Sequence, residues 1–181
     1  EGTRIWVENF GGVNIEILTD ITNTDDNGFL ITGLSRSFGN GGYDVYSVKL
    51  NYYGKEVWSN IHGDKLDDKP VGFFKGKDNR DFILYTNGSS KNMYVAIDHK
   101  NGFGSQWVLT SEKENKLYGV KNIKDKIFTF GYKLEEGKKV GIIYEIDMEN
   151  NTLNEFKVLD ENFEVRDILY YNNSLYIVGN T

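Results

Sequence analysis

Apolar and polar residues alternate along the chain in short runs, and clusters of Asn, Asp and Gly separate these runs. Alternation with a period of two is typical of β-strands, and Asn and Gly are favoured in tight turns. The first complete unit of this pattern therefore predicts four strands, which we name a to d in chain order. They are residues 16–24 (a), 29–33 (b), 44–50 (c) and 55–59 (d).

The same order of strands recurs along the rest of the chain. The largest aromatic residues mark the period, because Trp6, Trp58, Trp107 and Phe156 are separated by 52, 49 and 49 residues. A period near 50 residues with four strands per unit is typical of the blades of a β-propeller, so we predict an all-β chain of about four such blades. The other predicted strands are 4–7 (d), 82–86 (b), 93–98 (c), 106–109 (d), 127–131 (b), 140–147 (c), 154–158 (d), 163–171 (a) and 174–179 (b).

These strands divide a single β-propeller domain or fragment, residues 1–181, into whole and partial blades. Joining the two partial blades gives a blade that lacks strand c. The pattern leaves two alternatives open: an irregular closing blade, or missing blades that the rest of a larger chain or another subunit supplies. The stretches are 1–12 (outer strand of a partial blade), 13–63, 64–111 and 112–160 (blades) and 161–181 (first two strands of a partial blade).

One large aromatic residue per unit predicts packing between neighbouring blades, because Trp and Phe bury a large apolar surface. We therefore assign a structural role to the four aromatic residues that mark the period. We assign a structural role also to the glycines that end three of the predicted b strands. These glycines are Gly33, Gly131 and Gly179.

Composition removes several classes of function. With 21 Lys and Arg against 27 Asp and Glu the net charge is −6, so the basic footprint of a nucleic-acid-binding protein is missing. The absence of cysteine excludes disulfides, thiolate metal sites and thiol nucleophiles. No apolar run approaches the roughly 18 residues of a membrane-spanning helix. The chain begins at Glu1, which indicates a removed signal peptide or an excised piece.

The first unit carries a specific set of motifs. It reads WVENFGG over residues 6–12, DNGFLITG over 26–33, SFGNGGYD over 37–44 and VKLNYYGKEVW over 48–58. It resembles the repeat of predicted extracellular and cell-surface β-propeller proteins of archaea and bacteria. This resemblance implies an exported scaffold that is generally non-catalytic, and it carries over no catalytic residue.

Later units keep only part of this resemblance. Asp98 lies nine residues before Trp107, and Asp147 lies nine residues before Phe156. This carboxylate in the turn between strands c and d is also similar to quinoprotein-like (PQQ-like) propeller repeats. Asn-x-Ser/Thr sequons at residues 87–89, 150–152 and 172–174 fit an exported chain.

Few residues suit catalytic or metal chemistry. His62 takes the place of a repeat aromatic and His99 lies in a c–d turn, so we interpret both as structural. The turn formed by Asp25, Asp26, Asn27 and Gly28 offers the oxygen atoms that calcium binds, but it lacks the full EF-hand pattern. We predict no catalytic residue and no required cofactor. Asp25, Asp26 and Asn27 are candidate calcium ligands, with an ordinary turn as the alternative.

Exposed tyrosines are candidates for ligand binding, because each offers a flat apolar face and a hydroxyl group. They are Tyr52, Tyr53 and Tyr118, and Tyr43 and Asp44 beside the b–c turn are further candidates, as residues that line a polar face of the ring. Alternation along a strand explains Tyr43 and Asp44 equally well. The glycine-rich loop 37–42 lacks the Gly-Lys-Ser/Thr ending of a phosphate-binding loop.

These observations favour a non-catalytic, secreted or cell-surface β-propeller that acts as a binding scaffold for a protein or glycan partner. A quinoprotein-like enzyme domain is the first alternative, and it predicts acidic residues repeated on successive inner strands. A lectin-like propeller is the second, and it predicts aromatic pockets at equivalent places in several blades. The sequence does not identify the ligand.

Overall fold

The computed structural model describes Thr3 and residues 5–181, and this part of the chain is all-β and contains no helix. Its strands form three four-stranded sheets and one two-stranded sheet, each with antiparallel neighbours in chain order. The first sheet contains β1 (Glu16–Asn23), β2 (Phe29–Ser35), β3 (Asp44–Leu50) and β4 (Glu56–His62). The second contains β5 (Lys69–Lys75), β6 (Asp81–Thr86), β7 (Asn92–Asp98) and β8 (Gly102–Leu109). The third contains β9 (Asn115–Ile123), β10 (Lys126–Glu135), β11 (Lys138–Asp147) and β12 (Thr152–Glu161), and the fourth contains β13 (Glu164–Tyr171) and β14 (Ser174–Asn180).

The strands predicted from residue 16 onward are confirmed, most of them within two residues at each end. β5 and β9, the first strands of the second and third sheets, had no predicted bounds, and β5 contains Pro70 and Gly72, which weaken a strand pattern. The lone strand predicted over 4–7 is wrong at residues 5–7, which form no strand, and Arg4 lies outside the described residues. Trp6 and Phe10 instead pack against the outer face of the first sheet.

The four sheets pack face to face in chain order, and their first strands β1, β5, β9 and β13 are successive neighbours. Polar side chains join these first strands to one another. Asp20 Oδ2 accepts a hydrogen bond from the Phe73 amide at 3.1 Å. Asn122 exchanges two hydrogen bonds with the main chain of Lys75, at 2.8 and 2.7 Å. Lys121 Nζ donates to the Ile168 carbonyl at 2.9 Å.

Three apolar clusters fill the spaces between successive sheets. Most residues of the second and third strands in the first three sheets are buried, because these are the inner strands of their sheets. The outer face of the first sheet is covered by residues of the same chain. Its cluster consists of Ile31, Tyr46, Val48 and Leu50 with Trp6, Phe10, Phe29 and Ile61.

Each first strand carries one β-bulge at the same place. The residue opposite the bulge is glycine in three of the sheets, namely Gly33, Gly131 and Gly179. A Cβ atom at these glycines would overlap the main-chain carbonyl oxygen of the facing strand. The second sheet has Tyr85 at this place, opposite Pro70. The glycines that sequence analysis selected thus lie where two strands approach most closely.

The aromatic residues of the repeat lie against the c–d turn of the following sheet. Trp6 lies over Gly54, where a Cβ atom would overlap the indole ring. The Nε1 atom of Trp58 donates to the His99 carbonyl at 3.0 Å. Trp107 packs in the same cluster as Met148. Phe156 differs from these three, because its side chain is 50% exposed.

Candidate functional site

Two buried carboxylates meet where the first sheet joins the second. Asp44 begins β3 and Asp68 directly precedes β5, and both residues are fully buried. A Cβ atom on Gly63 would overlap Asp44 Oδ1 and Asp68 Oδ2, so the two oxygens converge on one point. Main-chain amides satisfy Asp44 Oδ2 and both oxygens of Asp68 at 2.9 to 3.2 Å. Within the described residues, Asp44 Oδ1 has no hydrogen-bond partner.

The next two junctions have different chemistry at the residues that match Asp68 by their position before the bulge, which are Asn115 and Phe163. Asn92, the first residue of β7, donates from Nδ2 to Asn115 Oδ1 at 2.7 Å where the second sheet joins the third. Where the third sheet joins the fourth, a Cβ atom on Gly141 would lie 2.9 Å from the Phe163 ring. The junctions therefore hold an acid pair, an amide pair and an apolar contact in turn.

Two loops surround the acid pair on the rim of the molecule. The main-chain amide of Tyr43 donates to Asp67 Oδ1 at 2.9 Å, and the Asp68 amide donates to the Tyr43 carbonyl at 2.6 Å. The Tyr43 ring carries the guanidinium of Arg36 at 4.9 Å from its centre. Tyr43 and Asp44 were both predicted as ligand-binding residues. Asp44 is buried in the junction, whereas Tyr43 is only partly buried.

A cleft of about 390 Å³ opens beside this rim, between the second and third sheets. Two lysines, two acidic residues and one tyrosine are among the residues that line it, namely Lys69, Lys116, Asp67, Glu114 and Tyr132. We name this cavity the rim cleft. Sequence analysis selected none of these residues, because the cleft forms only where loops from different repeats meet.

The predicted calcium turn is occupied by a cation of the protein itself. Lys49 Nζ, on a fully buried side chain, lies 2.8 Å from Asp26 Oδ1, which also accepts from Thr24 Oγ1 at 2.6 Å and the Gly28 amide at 3.1 Å. The hydrogen bond from Lys49 lowers the pKa of Asp26 far below its ordinary value. Asn27 has a φ of 60°, as a tight turn requires. A calcium ion at this turn would have to displace the Lys49 ammonium group.

Tyr52 and Tyr53 form an exposed aromatic pair in the c–d turn of the first sheet. Their rings stand edge to face with centres 5.3 Å apart. The c–d turns of the other complete sheets, residues 99–101 and 148–151, contain no tyrosine, phenylalanine or tryptophan. The aromatic pair is therefore confined to one sheet.

Tyr118 belongs to a polar cluster between the third and fourth sheets. Its hydroxyl donates to Glu164 Oε2 at 2.9 Å, and the Arg166 guanidinium lies 3.9 Å from its ring centre. Lys139 Nζ donates to Glu164 Oε1 at 2.5 Å. Burial and the bond to Glu164 raise the pKa of Tyr118 to about 12. Arg166 and Glu164 had no motif in the sequence, since their partner is contributed by another repeat.

His62 packs between the first two sheets, and His99 lies in the c–d turn of the second sheet. His62 Nε2 lies 2.8 Å from the Tyr85 hydroxyl oxygen and 2.6 Å from Gln106 Oε1. His99 Nε2 lies 3.0 Å from the buried carboxylate of Asp81. The neighbours of His62 are aromatic rings, as its position in the repeat predicts.

A second cleft of about 480 Å³ lies between β12 and the segment that follows β8, and Tyr144 is among the residues that line it. The buried Tyr144 hydroxyl has no hydrogen-bond partner among the described residues. Burial raises the pKa of Tyr144 well above its ordinary range, so the hydroxyl stays protonated and able to donate at neutral pH. Thr110, Ser111 and Asn154 supply further polar groups to this cleft.

These sites can bind polar groups, and their chemistry is that of hydrogen bonds and ion pairs. The part of the chain that the structure describes contains no cluster of three or more His, Asp and Glu side chains placed to hold a metal ion. The described part of the chain also contains no apolar helix of the length that crosses a membrane. Comparison with models of known protein families and with curated proteins finds no match.

Proposed function

We propose that this chain is part of an exported β-propeller that acts as a non-catalytic binding scaffold. One observation carries the proposal: four sheets pack in chain order with their first strands as successive neighbours. In a propeller the first strand of each blade lines the central axis, and loops on the two rims present ligands with a rigid surface. The extracellular location rests on the family resemblance and on the sequons.

The rim cleft is the binding surface that we assign to this scaffold. Lysines and acidic residues line it together with Tyr132 and apolar residues such as Leu66 and Val71. Such a mixture suits a polypeptide, whose main chain and side chains offer groups of both kinds. A glycan-binding propeller would favour aromatic pockets repeated in several blades, and the Tyr52–Tyr53 pair is confined to the first sheet. We therefore propose a protein partner.

The absence of catalysis is part of the proposal, and the positions of the polar residues support it. Nucleophilic catalysis needs a base within hydrogen-bond reach of a nucleophile at an open site. His62 instead packs edge to face on Tyr85 and Phe103, and the two buried acids meet inside a junction. Neither arrangement leaves a reacting atom beside a substrate.

A quinoprotein-like enzyme domain has weaker support. It predicts acidic residues at equivalent places on successive inner strands. The four residues that follow the bulges are Asp20, Gly72, Gly119 and Asp167, so the two acids are separated by glycines. Each acid also accepts a hydrogen bond from the main-chain amide that follows it, at 2.9 and 2.8 Å.

The test is a binding screen of the full chain against a peptide library and a glycan array. We expect a peptide ligand whose affinity falls at least tenfold, or about 1.4 kcal/mol, when Lys69 and Lys116 are both changed to Glu. Lys100→Glu, on the exposed c–d turn of the second sheet, is the control and should leave affinity unchanged. Binding only to glycans, binding that ignores Lys69 and Lys116, or conversion of the ligand into a product would each contradict the proposal.

A further inference from the structure

Four asparagines of the chain are each followed directly by glycine, a sequence that favours deamidation of the asparagine. They are Asn27, Asn40, Asn87 and Asn101. In this reaction the main-chain nitrogen of the glycine attacks the side-chain carbonyl carbon of the asparagine. Glycine favours the attack because it carries no side chain and adopts many backbone conformations. The hydrogen bonds and the burial of each pair therefore decide which of the four asparagines reacts in the folded protein.

Carboxylates hold the glycine amides of the first and third pairs. The Gly28 amide donates to Asp26 Oδ1 at 3.1 Å, and the Gly88 amide donates to Asp68 Oδ1 at 3.2 Å. The attack requires the amide nitrogen to lose its proton. A hydrogen bond to a negatively charged oxygen holds that proton and is stronger than a bond between neutral groups. These two pairs are therefore protected while the chain is folded.

The pair of Asn101 and Gly102 is held by Asp98 in the c–d turn of the second sheet. Asn101 donates to both carboxylate oxygens of Asp98, from its main-chain amide and from Nδ2, each at 3.1 Å. Gly102 is buried and pairs with Asp98 in the ladder between β7 and β8. The asparagine side chain and the glycine are thus both fixed, so the attack would require this turn to open.

Asn40 and Gly41 lie in the b–c loop of the first sheet, where these restraints are missing. Both residues are exposed, whereas Gly28 and Gly102 are buried. Within the described residues, neither the Asn40 side chain nor the Gly41 amide has a hydrogen-bond partner. The main-chain amide of Asn40 is held by Asp44 Oδ2 at 3.2 Å. The loop is therefore anchored beside this pair, but the side chain of Asn40 is able to turn toward the glycine nitrogen.

We propose that Asn40 is a site of spontaneous deamidation in the folded protein. The Gly41 nitrogen forms a bond to Asn40 Cγ, the bond between Cγ and Nδ2 breaks, and the amide proton of Gly41 leaves with Nδ2 as ammonia. Water then opens the resulting succinimide ring at either of its carbonyl groups. Opening at one carbonyl gives aspartate, and opening at the other gives isoaspartate. The reaction consumes only water and needs no enzyme.

The product places a new carboxylate beside the acid pair of the first junction. Asp44 and Asp68 are buried there, and Asp44 Oδ2 accepts the hydrogen bond from the Asn40 amide. A further negative charge nearby disfavours the charged form of these carboxylates. Isoaspartate also adds a carbon atom to the main chain ahead of Tyr43, whose carbonyl accepts from the Asp68 amide at 2.6 Å. We therefore expect the deamidated protein to unfold at a lower urea concentration.

Peptide mapping by mass spectrometry, after incubation of the full chain at neutral pH, tests the site. We expect Asn40 to convert about tenfold faster than the other three asparagines, because those react only when the fold opens locally. In urea, where the fold restrains none of the pairs, all four should convert at similar rates. Isoaspartate should appear beside aspartate, since its peptide has the same mass and a different retention time. Persistence of Asn40 in the folded protein, equally fast conversion of another of the four, or aspartate as the sole product would overturn the proposal.

Variants separate the reaction from its effect on the junction. Asn40→Gln should abolish conversion at residue 40, because glutamine would have to close a larger ring. Asn40→Asp carries the charge of the product, and Asn162→Asp adds the same charge in the exposed turn between β12 and β13 as a matched control. The urea midpoint of Asn40→Asp should lie below that of the control at neutral pH and approach it as the carboxylates become protonated in acid. Equal midpoints at neutral pH would overturn the effect on the junction.

Discussion

The carboxylates of Asp44 and Asp68 converge on one point beside Gly63, inside the junction of the first two sheets. At the next junction Asn115, which matches Asp68 by its position before the bulge, pairs with Asn92, whose Nδ2 donates to Asn115 Oδ1 at 2.7 Å. An amide at residue 44 would supply the donor that the carboxylate lacks. The second junction therefore shows how an amide pair joins two sheets, and the first can be compared with it.

We predict that Asp44→Asn stabilises the protein at pH 7. The change removes a buried negative charge and gives Asp68 a hydrogen-bond donor, and relieving an unsatisfied buried polar atom contributes about 1 to 3 kcal/mol. Chemical denaturation at pH 7 measures the change in the free energy of unfolding. Asp44→Ala is the control, because it removes the charge without supplying a donor. A destabilised Asp44→Asn protein would show that the acid pair is already satisfied.

The same pair predicts a dependence of stability on pH. Burial raises the pKa of both Asp44 and Asp68 above the ordinary value of 3.8. A raised pKa means that the folded protein binds the proton more tightly than the unfolded chain does. The contribution of the pair is thus fully present below pH 3.8 and is lost as the pH rises through the folded pKa values. Stability curves of wild type and Asp44→Asn should converge as the pH falls, and parallel curves would contradict this.

The aromatic residues of the repeat should differ in their contribution to stability. Trp58→Ala and Trp107→Ala should each cost about 3 to 5 kcal/mol, because each ring is packed between two sheets. Phe156→Ala should cost about 1 kcal/mol, since half of its side chain is already exposed. Thermal and urea unfolding of the three variants gives the comparison. Equal losses at all three positions would refute the packing roles assigned here.

The glycine opposite the bulge of the third sheet should tolerate no side chain. Gly131→Ala places a methyl group on the carbonyl oxygen of Lys116 and should cost about 3 kcal/mol or more. Gly104→Ala is a matched control on β8, because its nearest neighbour would lie at an ordinary 3.5 Å. That control should be neutral or slightly stabilising. Urea unfolding distinguishes the two, and a tolerated Gly131→Ala would mean that the bulge relaxes.

The turn at Asp26 should depend on Lys49 and not on calcium. Asp26→Asn should destabilise the protein by about 1 to 3 kcal/mol at pH 7, because it leaves the buried Lys49 ammonium without its counter-charge. The lowered pKa of Asp26 means that its contribution is present above pH 3.8 and is lost as the pH falls through the folded value. Millimolar calcium or a chelator should leave the melting temperature unchanged. A calcium-induced rise that Asp26→Asn abolishes would restore the calcium hypothesis.

The strands were predictable because their pattern is local, while the contacts between sheets were not. Alternating apolar residues and Asn-Gly turns give β2, β3, β6 and β7 directly. β5 was not located in the sequence, because Pro70 and Gly72 interrupt its strand pattern. The strand forms nevertheless, because its pairing with β6 compensates for these two residues. Asp44 was selected, but its partner Asp68 was not, because it lies 24 residues away in another repeat. Lys49 was missed because its partner Asp26 is distant in the sequence. A lysine within a strand pattern also predicts a solvated side chain.

The change from an acid pair to an amide pair to an apolar contact has a consequence for how the chain assembles. Repeats with the same backbone are able to stack in the wrong order or across two molecules during folding. A sheet that presents Asp44 to Phe163 would bury a carboxylate against an aromatic ring, which is costly. The acidic and the apolar junctions therefore disfavour an exchange of neighbours, so these few residues help to set the order in which the sheets come together.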